Sequence, residues 1–224
     1  MLDRSQTVAR IVLDHSECAP IFQKNRIDYC CRGGVSLTEA CASQGLDPDA
    51  LATELERAIG ARSGGDEADP RALSTAGLVG HIVSKHHQYL REAMPFLAPL
   101  SAKVRRVHGE HDGRLLELDD VVKALFAALE PHLDEEEQTL FPELTKRAPD
   151  RALVARELGA MQQEHLEVGA LLGRMRAITA DFTTPEWACN SYRTLFSELE
   201  RLEGDVLRHV HLENHVLMPR FAEA

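Results

Sequence analysis

Residues 132–142 read HLDEEEQTLFP, and residues 209–219 repeat their pattern as HVHLENHVLMP. In both stretches a histidine is followed by Glu at the fourth position, Leu at the eighth and Pro at the tenth. An α-helix advances about 100° per residue, so a His and a Glu four residues apart lie on one face, one turn apart. One helix can therefore present two metal ligands, and the pattern predicts two such helices.

A lone histidine precedes each copy at nearly the same distance. His87 lies 45 residues before His132, and His165 lies 44 residues before His209. The repeating unit is therefore a pair of helices, one with a single histidine and one with a His and a Glu. Two such pairs make a four-helix bundle in which four imidazoles and two carboxylates can converge. The sequence predicts a dinuclear metal site with these ligands: His87, His132, Glu136, His165, His209 and Glu213.

Other histidines compete for these positions. His86 and His87 are adjacent, so only one can point into the bundle, and the spacing between the two copies slightly favours His87. His81 is a weaker competitor. His211 and His215 lie about 200° and 240° round the helix from the histidine of their own repeat, so we expect them to face solvent.

The ligand types indicate the chemistry of the site. A single histidine is more often a structural or surface residue than a ligand, but six candidates at matched offsets outweigh that expectation. Imidazole and carboxylate ligands suit iron, manganese or zinc and disfavour a thiolate-rich structural zinc. Two imidazoles per ion and two bridging carboxylates leave an octahedral shell open, which favours chemistry, sensing or metal delivery. The other acidic residues of 134–137 are predicted to be solvated or to support the ligands.

The bulk composition excludes several classes of partner. Lys and Arg number 25 against 36 Asp and Glu, and the resulting net charge of −11 argues against nucleic acid or an anionic membrane surface. Hydrophobic residues at 44% and charged residues at 27% are typical of a soluble globular protein with a core. No apolar run approaches the roughly 20 residues of a membrane span. The first ten residues have no stretch of signal-peptide type, so a cytoplasmic location is expected.

The chain divides at a polar segment. Residues 60–71, GARSGGDEADPR, lack periodicity and predict a linker at 61–71 between domains 1–60 and 72–222. No segment alternates as a strand does, so an all-α fold is predicted. Pro131 predicts a bend or break near 128–131. Helices are predicted near residues 5–14, 17–25, 36–44, 48–59, 75–107, 115–147, 150–179 and 185–217.

At these residues the chain resembles the hemerythrin-like (HHE) cation-binding proteins, which are four-helix bundles around a non-haem di-iron centre. The resemblance implies two iron ions bridged by carboxylates, with room for an oxo bridge. In oxygen-carrying hemerythrins the third helix supplies a second histidine one turn after the first. Gly169 stands at that position here, which argues against simple oxygen carriage.

The N-terminal segment DYCCRGG, residues 28–34, resembles the small cysteine-containing domain that opens the RIC (repair of iron centres) proteins, the YtfE/ScdA/DnrN/NorA family. That resemblance covers nearly the whole chain and implies a di-iron protein associated with nitric oxide and oxidative stress. The family's ligand positions fall on the same six residues. His108 matches a family histidine near the metals, which implies an auxiliary role. The family also makes a homodimer plausible.

The cysteines have two interpretations. An odd count of five, without an export signal, predicts reduced thiols. Cys30 and Cys31 are adjacent and rarely bond each other because the ring is strained. Arg32 and a Gly-Gly turn could favour thiolate, which would suit iron handling, redox exchange or contact with a partner protein; the alternative is two ordinary thiols in a turn. Whether this segment docks on the bundle or swings free is open. The remaining cysteines are expected to be packing residues: Cys18, Cys41 and Cys189.

Three functions compete. The first is repair of iron–sulfur clusters damaged by nitric oxide or oxidative stress, in which the site supplies labile iron to damaged iron–sulfur proteins. The second is binding of nitric oxide or its reduction to nitrous oxide, so whether the chain is an enzyme is open. The third is a module that buffers or senses nitric oxide or oxygen, which is weakened because nothing resembles a signalling output domain. A purely structural bundle is the last alternative.

Overall fold

The computed structural model describes residues 2–61 and 69–221. Within those ranges every regular element is helical, and a single isolated β-bridge joins Thr7 to Ser36. The predicted all-α fold is therefore confirmed. None of the helices in the described ranges has the length and apolar run needed to cross a membrane. Most of the predicted linker, residues 62–68, lies outside the described residues.

The N-terminal region is a set of short helices with local capping signals. Ser36 and Glu39 form a capping box at the start of helix α3 (Leu37–Gln44), in which each side chain accepts a hydrogen bond from the other residue's backbone N–H. Asp47 accepts a hydrogen bond from the N–H of Asp49 at the start of the helix that begins at Pro48, where the sequence predicts a helix near residues 48–59. The helices are α1 (Val8–Asp14), α2 (Ala19–Lys24), α3 (Leu37–Gln44) and α4 (Pro48–Ala61).

The C-terminal region is the four-helix bundle. Helix α6 (Gln88–His108) packs against α7 (Arg114–Glu135) and α10 (Asn190–Leu212). Helix α9 (Arg151–Ile178) packs against the same two helices, which closes a ring of four. Helix α7 continues through Pro131, so the predicted break there is wrong, and the last long helix starts at Asn190 and not at 185. The helices are α5 (Thr75–Ile82), α6 (Gln88–His108), α7 (Arg114–Glu135), α8 (Phe141–Leu144), α9 (Arg151–Ile178) and α10 (Asn190–Leu212).

Among the residues that the structure describes, three π-helical segments interrupt the bundle helices at one end. In the first repeat the backbone N–H of Phe141 donates to the carbonyl of Glu136, and in the second the backbone N–H of Met218 donates to the carbonyl of Glu213. The third segment is Val83–His87, between α5 and α6. Each bond spans five residues and not four, so each segment contains one residue more than an α-turn. The repeat's proline follows and has no N–H to continue the wide turn.

Two apolar clusters enclose this end of the bundle. The larger cluster is continuous from the N-terminal region into the bundle, through fully buried side chains such as Phe22 and Leu199. The smaller cluster, which includes Ile82, Leu140 and Leu217, closes the end next to the π-helical segments. Polar groups between the two clusters are therefore shielded from water.

Candidate metal centre

The six predicted ligands lie together at the end of the bundle that carries the π-helical segments. His87 ends the first segment, and the two glutamates begin the other two. His132, His165 and His209 project from α7, α9 and α10. All six side chains are buried, with exposed fractions between 0% and 4%.

The side chains form two groups of four that share both carboxylates. One group is His87, Glu136, His209 and Glu213, and the other is His132, Glu136, His165 and Glu213. Within each group, one ligand atom from each residue lies within 4.8 Å of the ligand atoms of the other three. The repeat therefore builds two adjacent positions, each with two imidazoles and two carboxylate oxygens.

Each carboxylate turns one oxygen toward each group. Glu136 Oε2 is 3.3 Å from His87 Nε2, while its Oε1 is 3.5 Å from His132 Nε2. Glu213 Oε1 is 2.8 Å from His209 Nε2, while its Oε2 is 3.2 Å from His165 Nε2. Each carboxylate could therefore contribute one oxygen to each group.

Unsatisfied polar atoms inside the cluster show that the residues fit a metal. His132 Nε2, His165 Nε2, both oxygens of Glu136 and Oε2 of Glu213 are buried and have no hydrogen-bond partner among the described residues. A buried polar group without a partner costs about 1–3 kcal/mol, and more when charged. These atoms converge, and a cation between them would satisfy them together.

Three outer hydrogen bonds orient the imidazoles. Nδ1–H of His87 donates to Glu137 (2.9 Å), that of His132 to Glu164 (2.8 Å) and that of His165 to Asn214 (3.0 Å). Each bond leaves Nε2 free of a proton and aimed into the cluster, as metal-binding histidines require. Sequence reasoning missed Glu164 and Asn214, and left Glu137 unresolved between a solvated and a supporting role. A signal was present, because Glu137 and Asn214 each follow the glutamate of a repeat.

The histidines and glutamates of the cluster shift one another's pKa. Burial alone would lower the pKa of His209, but the carboxylates of Glu213 and Glu136 raise it to about 10. Burial would raise the pKa of Glu213, but the positive charge of His209 beside it holds that pKa well below its usual range. The carboxylates are therefore held in the anionic form that binds a cation.

The competing histidines have other partners. His86 turns away from the cluster, and its Nδ1 lies 3.0 Å from Asp205 while its ring stacks on that of His209. His81 packs edge-on against the ring of His86.

His108 is at the opposite end of α6 from His87. At 1.5 Å per residue the two lie about 30 Å apart, and His108 Nε2 lies 3.2 Å from Cys189 Sγ. The implied place of His108 near the metals is therefore wrong.

The expectation that His211 and His215 face solvent is also wrong. His211 is buried, burial lowers its pKa to about 3, and its Nδ1–H donates to the carbonyl of Tyr29 at 3.1 Å. His215 Nε2–H donates to the carbonyl of Cys30 at 2.8 Å. Both point away from the metal cluster as the helical angles require, but the N-terminal region covers that face.

The Cys30–Cys31 segment docks on the bundle beside the cluster. Asn214, which orients His165, also donates its Nδ2–H to the carbonyl of Cys30 at 3.0 Å. Cys31 Sγ lies 3.6 Å from the carbonyl oxygen of His165 and 3.9 Å from where a Cβ would stand on Gly169. One hydrogen-bonded chain therefore links a predicted ligand to the cysteine pair.

Comparison with known proteins matches both regions. Residues 79–221 match the hemerythrin HHE cation-binding domain, and residues 4–59 match ScdA_N, a domain of unknown function. The iron-sulfur cluster repair protein ScdA of Staphylococcus haemolyticus is 31% identical over 99% of this chain and 100% of its own length. The iron-sulfur cluster repair protein YtfE of Yersinia pseudotuberculosis is 30% identical over 97% of this chain and 96% of its own length.

Proposed function

This chain belongs to the hemerythrin HHE family and carries an ScdA_N domain before the bundle, as its motifs predicted, and from this premise we propose that it repairs damaged iron–sulfur clusters by supplying labile iron. The names of its full-length relatives support the repair role. The centre of six residues supports the iron supply. The proposed clients are iron–sulfur proteins damaged by nitric oxide or oxidative stress.

The observation that carries this proposal is the sharing of Glu136 and Glu213 between two groups of imidazoles. His87 and His209 would hold one iron ion, and His132 and His165 the other. Two imidazole nitrogens and two carboxylate oxygens leave about two open positions in an octahedral shell. An incoming ligand from a client could use those positions, whereas a closed structural site offers none.

The test compares iron content with repair. Protein reconstituted with Fe²⁺ is mixed with a nitric-oxide-damaged iron–sulfur enzyme, and recovery of that enzyme's activity is measured. Replacing both bridging carboxylates, Glu136→Gln plus Glu213→Gln, is expected to abolish stable iron loading and repair. The matched control is Glu135→Gln, which changes an exposed glutamate one position away. Equal repair by the double variant would overturn the proposal.

A second function is favoured by the adjacency of the two positions. Two molecules of nitric oxide, two electrons and two protons give one nitrous oxide and one water. A pair of ferrous ions would supply one electron each. Anaerobic incubation of the ferrous protein with two equivalents of nitric oxide per centre tests this: nitrous oxide should form in wild type and not in the double glutamine variant. Binding of nitric oxide without nitrous oxide would exclude the reaction.

A further inference from the structure

A second cluster of metal-binding side chains lies outside the six-residue centre, on the segment between α2 and α3. Cys30 Sγ is 3.4 Å from Cys31 Sγ and 3.3 Å from Asp28 Oδ1. One ligand atom from each of the three residues lies within 4.8 Å of the others. We propose that Asp28, Cys30 and Cys31 form a third cation site, which takes one thiophilic divalent transition-metal ion such as Fe²⁺ or Zn²⁺.

The distances fit a tetrahedral ion with little movement. Bonds of about 2.3 Å to sulfur and about 2.1 Å to oxygen place two sulfurs about 3.8 Å apart, and a sulfur and an oxygen about 3.6 Å apart. The two separations that involve Cys30 are 3.4 Å and 3.3 Å, so each of these pairs needs to open by only a few tenths of an ångström, and the Cys31 sulfur lies within 4.8 Å of the carboxylate. Three protein ligands leave a fourth position, which is typical of an exchangeable site and not of a structural one.

The turn that carries these ligands is held on both sides. Asp28 Oδ1 accepts the backbone N–H of Cys30 at 3.1 Å and that of Cys31 at 2.8 Å, which brings both sulfurs to the side of the carboxylate. The carbonyl of Cys30 accepts from Asn214 and His215 on the bundle. The ligands are therefore preorganised before any ion binds, which reduces the entropy lost on binding.

The position of the cluster separates it from the buried centre. Asp28 is exposed, Cys31 is partly exposed and Cys30 is buried, so the cluster reaches from the surface toward the bundle. Cys30 and Gly169 line a cavity of about 230 Å³ between the N-terminal region and the bundle. An ion at this site would lie beside the centre on the side facing solvent. The inference does not depend on the proposed repair function, because it requires only binding.

Binding is expected to release protons. Both cysteines are free thiols. Each thiol that becomes a thiolate ligand gives one proton to the buffer, so one divalent ion displaces two protons and forms two metal–sulfur bonds.

The test is a titration of the metal-free full-length protein with Co²⁺, followed by thiolate-to-cobalt charge-transfer absorption and by proton release. Wild type should bind one Co²⁺ more than the Cys30→Ser plus Cys31→Ser variant, with a thiolate band and two additional protons. The matched control is Cys189→Ser, which removes an exposed thiol elsewhere and should leave the band unchanged. Asp28→Asn should keep the band and weaken binding at least tenfold.

Three results would overturn the inference. These are Co²⁺ binding to wild type without a thiolate band, a band of full intensity in the double serine variant, and loss of the band in Cys189→Ser. Far-ultraviolet circular dichroism checks that each variant is folded. If the double variant fails to fold, Asp28→Asn decides, because unchanged Co²⁺ affinity in that variant would exclude the carboxylate and the proposed site.

Discussion

Asn214 offers a direct test of how the centre is coupled to the cysteine segment. Its Oδ1 accepts the Nδ1–H of His165 at 3.0 Å, and its Nδ2–H donates to the carbonyl of Cys30 at 3.0 Å. Asn214→Leu removes both bonds in a side chain of similar volume. His165 then loses the partner that keeps its proton on Nδ1, so its Nε2 is less often free and correctly aimed.

The size of the effect follows from these contacts. Loss of an outer partner of a ligating histidine typically lowers metal affinity by about 10- to 100-fold, which is about 1.4–2.7 kcal/mol at about 1.36 kcal/mol per factor of ten. The carbonyl of Cys30 keeps its hydrogen bond from His215. The free energy of unfolding of the metal-free protein should therefore fall by about 1–3 kcal/mol, the cost of leaving the buried Nδ1–H of His165 without a partner.

The assay is competition with a chelator for Co²⁺ or Fe²⁺, with chemical denaturation of the metal-free protein in parallel. Asn214→Asp keeps an acceptor for His165 but cannot donate to Cys30, so it should bind metal within tenfold of wild type. Gln162→Leu is the control, because it also replaces a side-chain amide with leucine, at an exposed position of α9. If folded Asn214→Leu binds metal as tightly as wild type, Asn214 does not couple the metal centre to the cysteine segment.

Three further changes test the stability of the bundle. Glu203→Leu removes the main partner of the buried Arg176 guanidinium and leaves it only the 3.4 Å contact with the more exposed Asp181. The free energy of unfolding should therefore drop by up to about 3–5 kcal/mol, and a loss under about 1 kcal/mol in urea denaturation contradicts this. The hydrogen bond from Arg114 lowers the pKa of Asp112 from 3.8 to about 2. The ionised carboxylate of Asp112 therefore stabilises the fold above about pH 4, and this contribution disappears as the pH falls through about 2. The free energy of unfolding of Asp112→Asn should therefore be about 1–2 kcal/mol below that of wild type at pH 7 and should match it near pH 2. A difference in unfolding free energy that stays constant across that pH range would refute the assignment. Gly169→Ala adds a methyl group whose nearest neighbour outside its own helix backbone is the sulfur of Cys31, at 3.9 Å. Thermal denaturation should therefore show a free energy of unfolding that is higher by about 0.5–1 kcal/mol. A lower free energy of unfolding would mean that the added methyl group clashes with its surroundings.

The arrangement of the six candidate ligands could be predicted because it rests on local geometry. A His and a Glu four residues apart must share a helix face, and two copies with matched upstream histidines restrict how the helices can pair. The same helical angles correctly predicted that His211 and His215 point away from the ligands. They could not show what covers that face, because the docking of the N-terminal region depends on contacts between distant segments such as that between His215 and Cys30.

The outer partners and the π-helical segments were harder to predict for a related reason. Glu164 reaches His132 from another helix, and helical periodicity within one segment does not fix such a contact. The extra residue after Glu136 was missed because a uniform period of 3.6 residues was assumed across the whole helix. His108 shows the opposite failure, since the resemblance to a family placed it near the metals while its position on α6 places it far away.

The π-helical segments set a condition for anyone who transplants this centre onto a designed scaffold. Each segment adds one residue to a turn, so on an ideal α-helical bundle every side chain after Glu136 would be rotated by about 100° from its place in this fold. The ligands His132 and Glu136 would survive the transfer, but Leu140 and Phe141, which seal the end of the cavity, would not. A graft that copies the six ligands without the widened turns would therefore leave them open to water on one side.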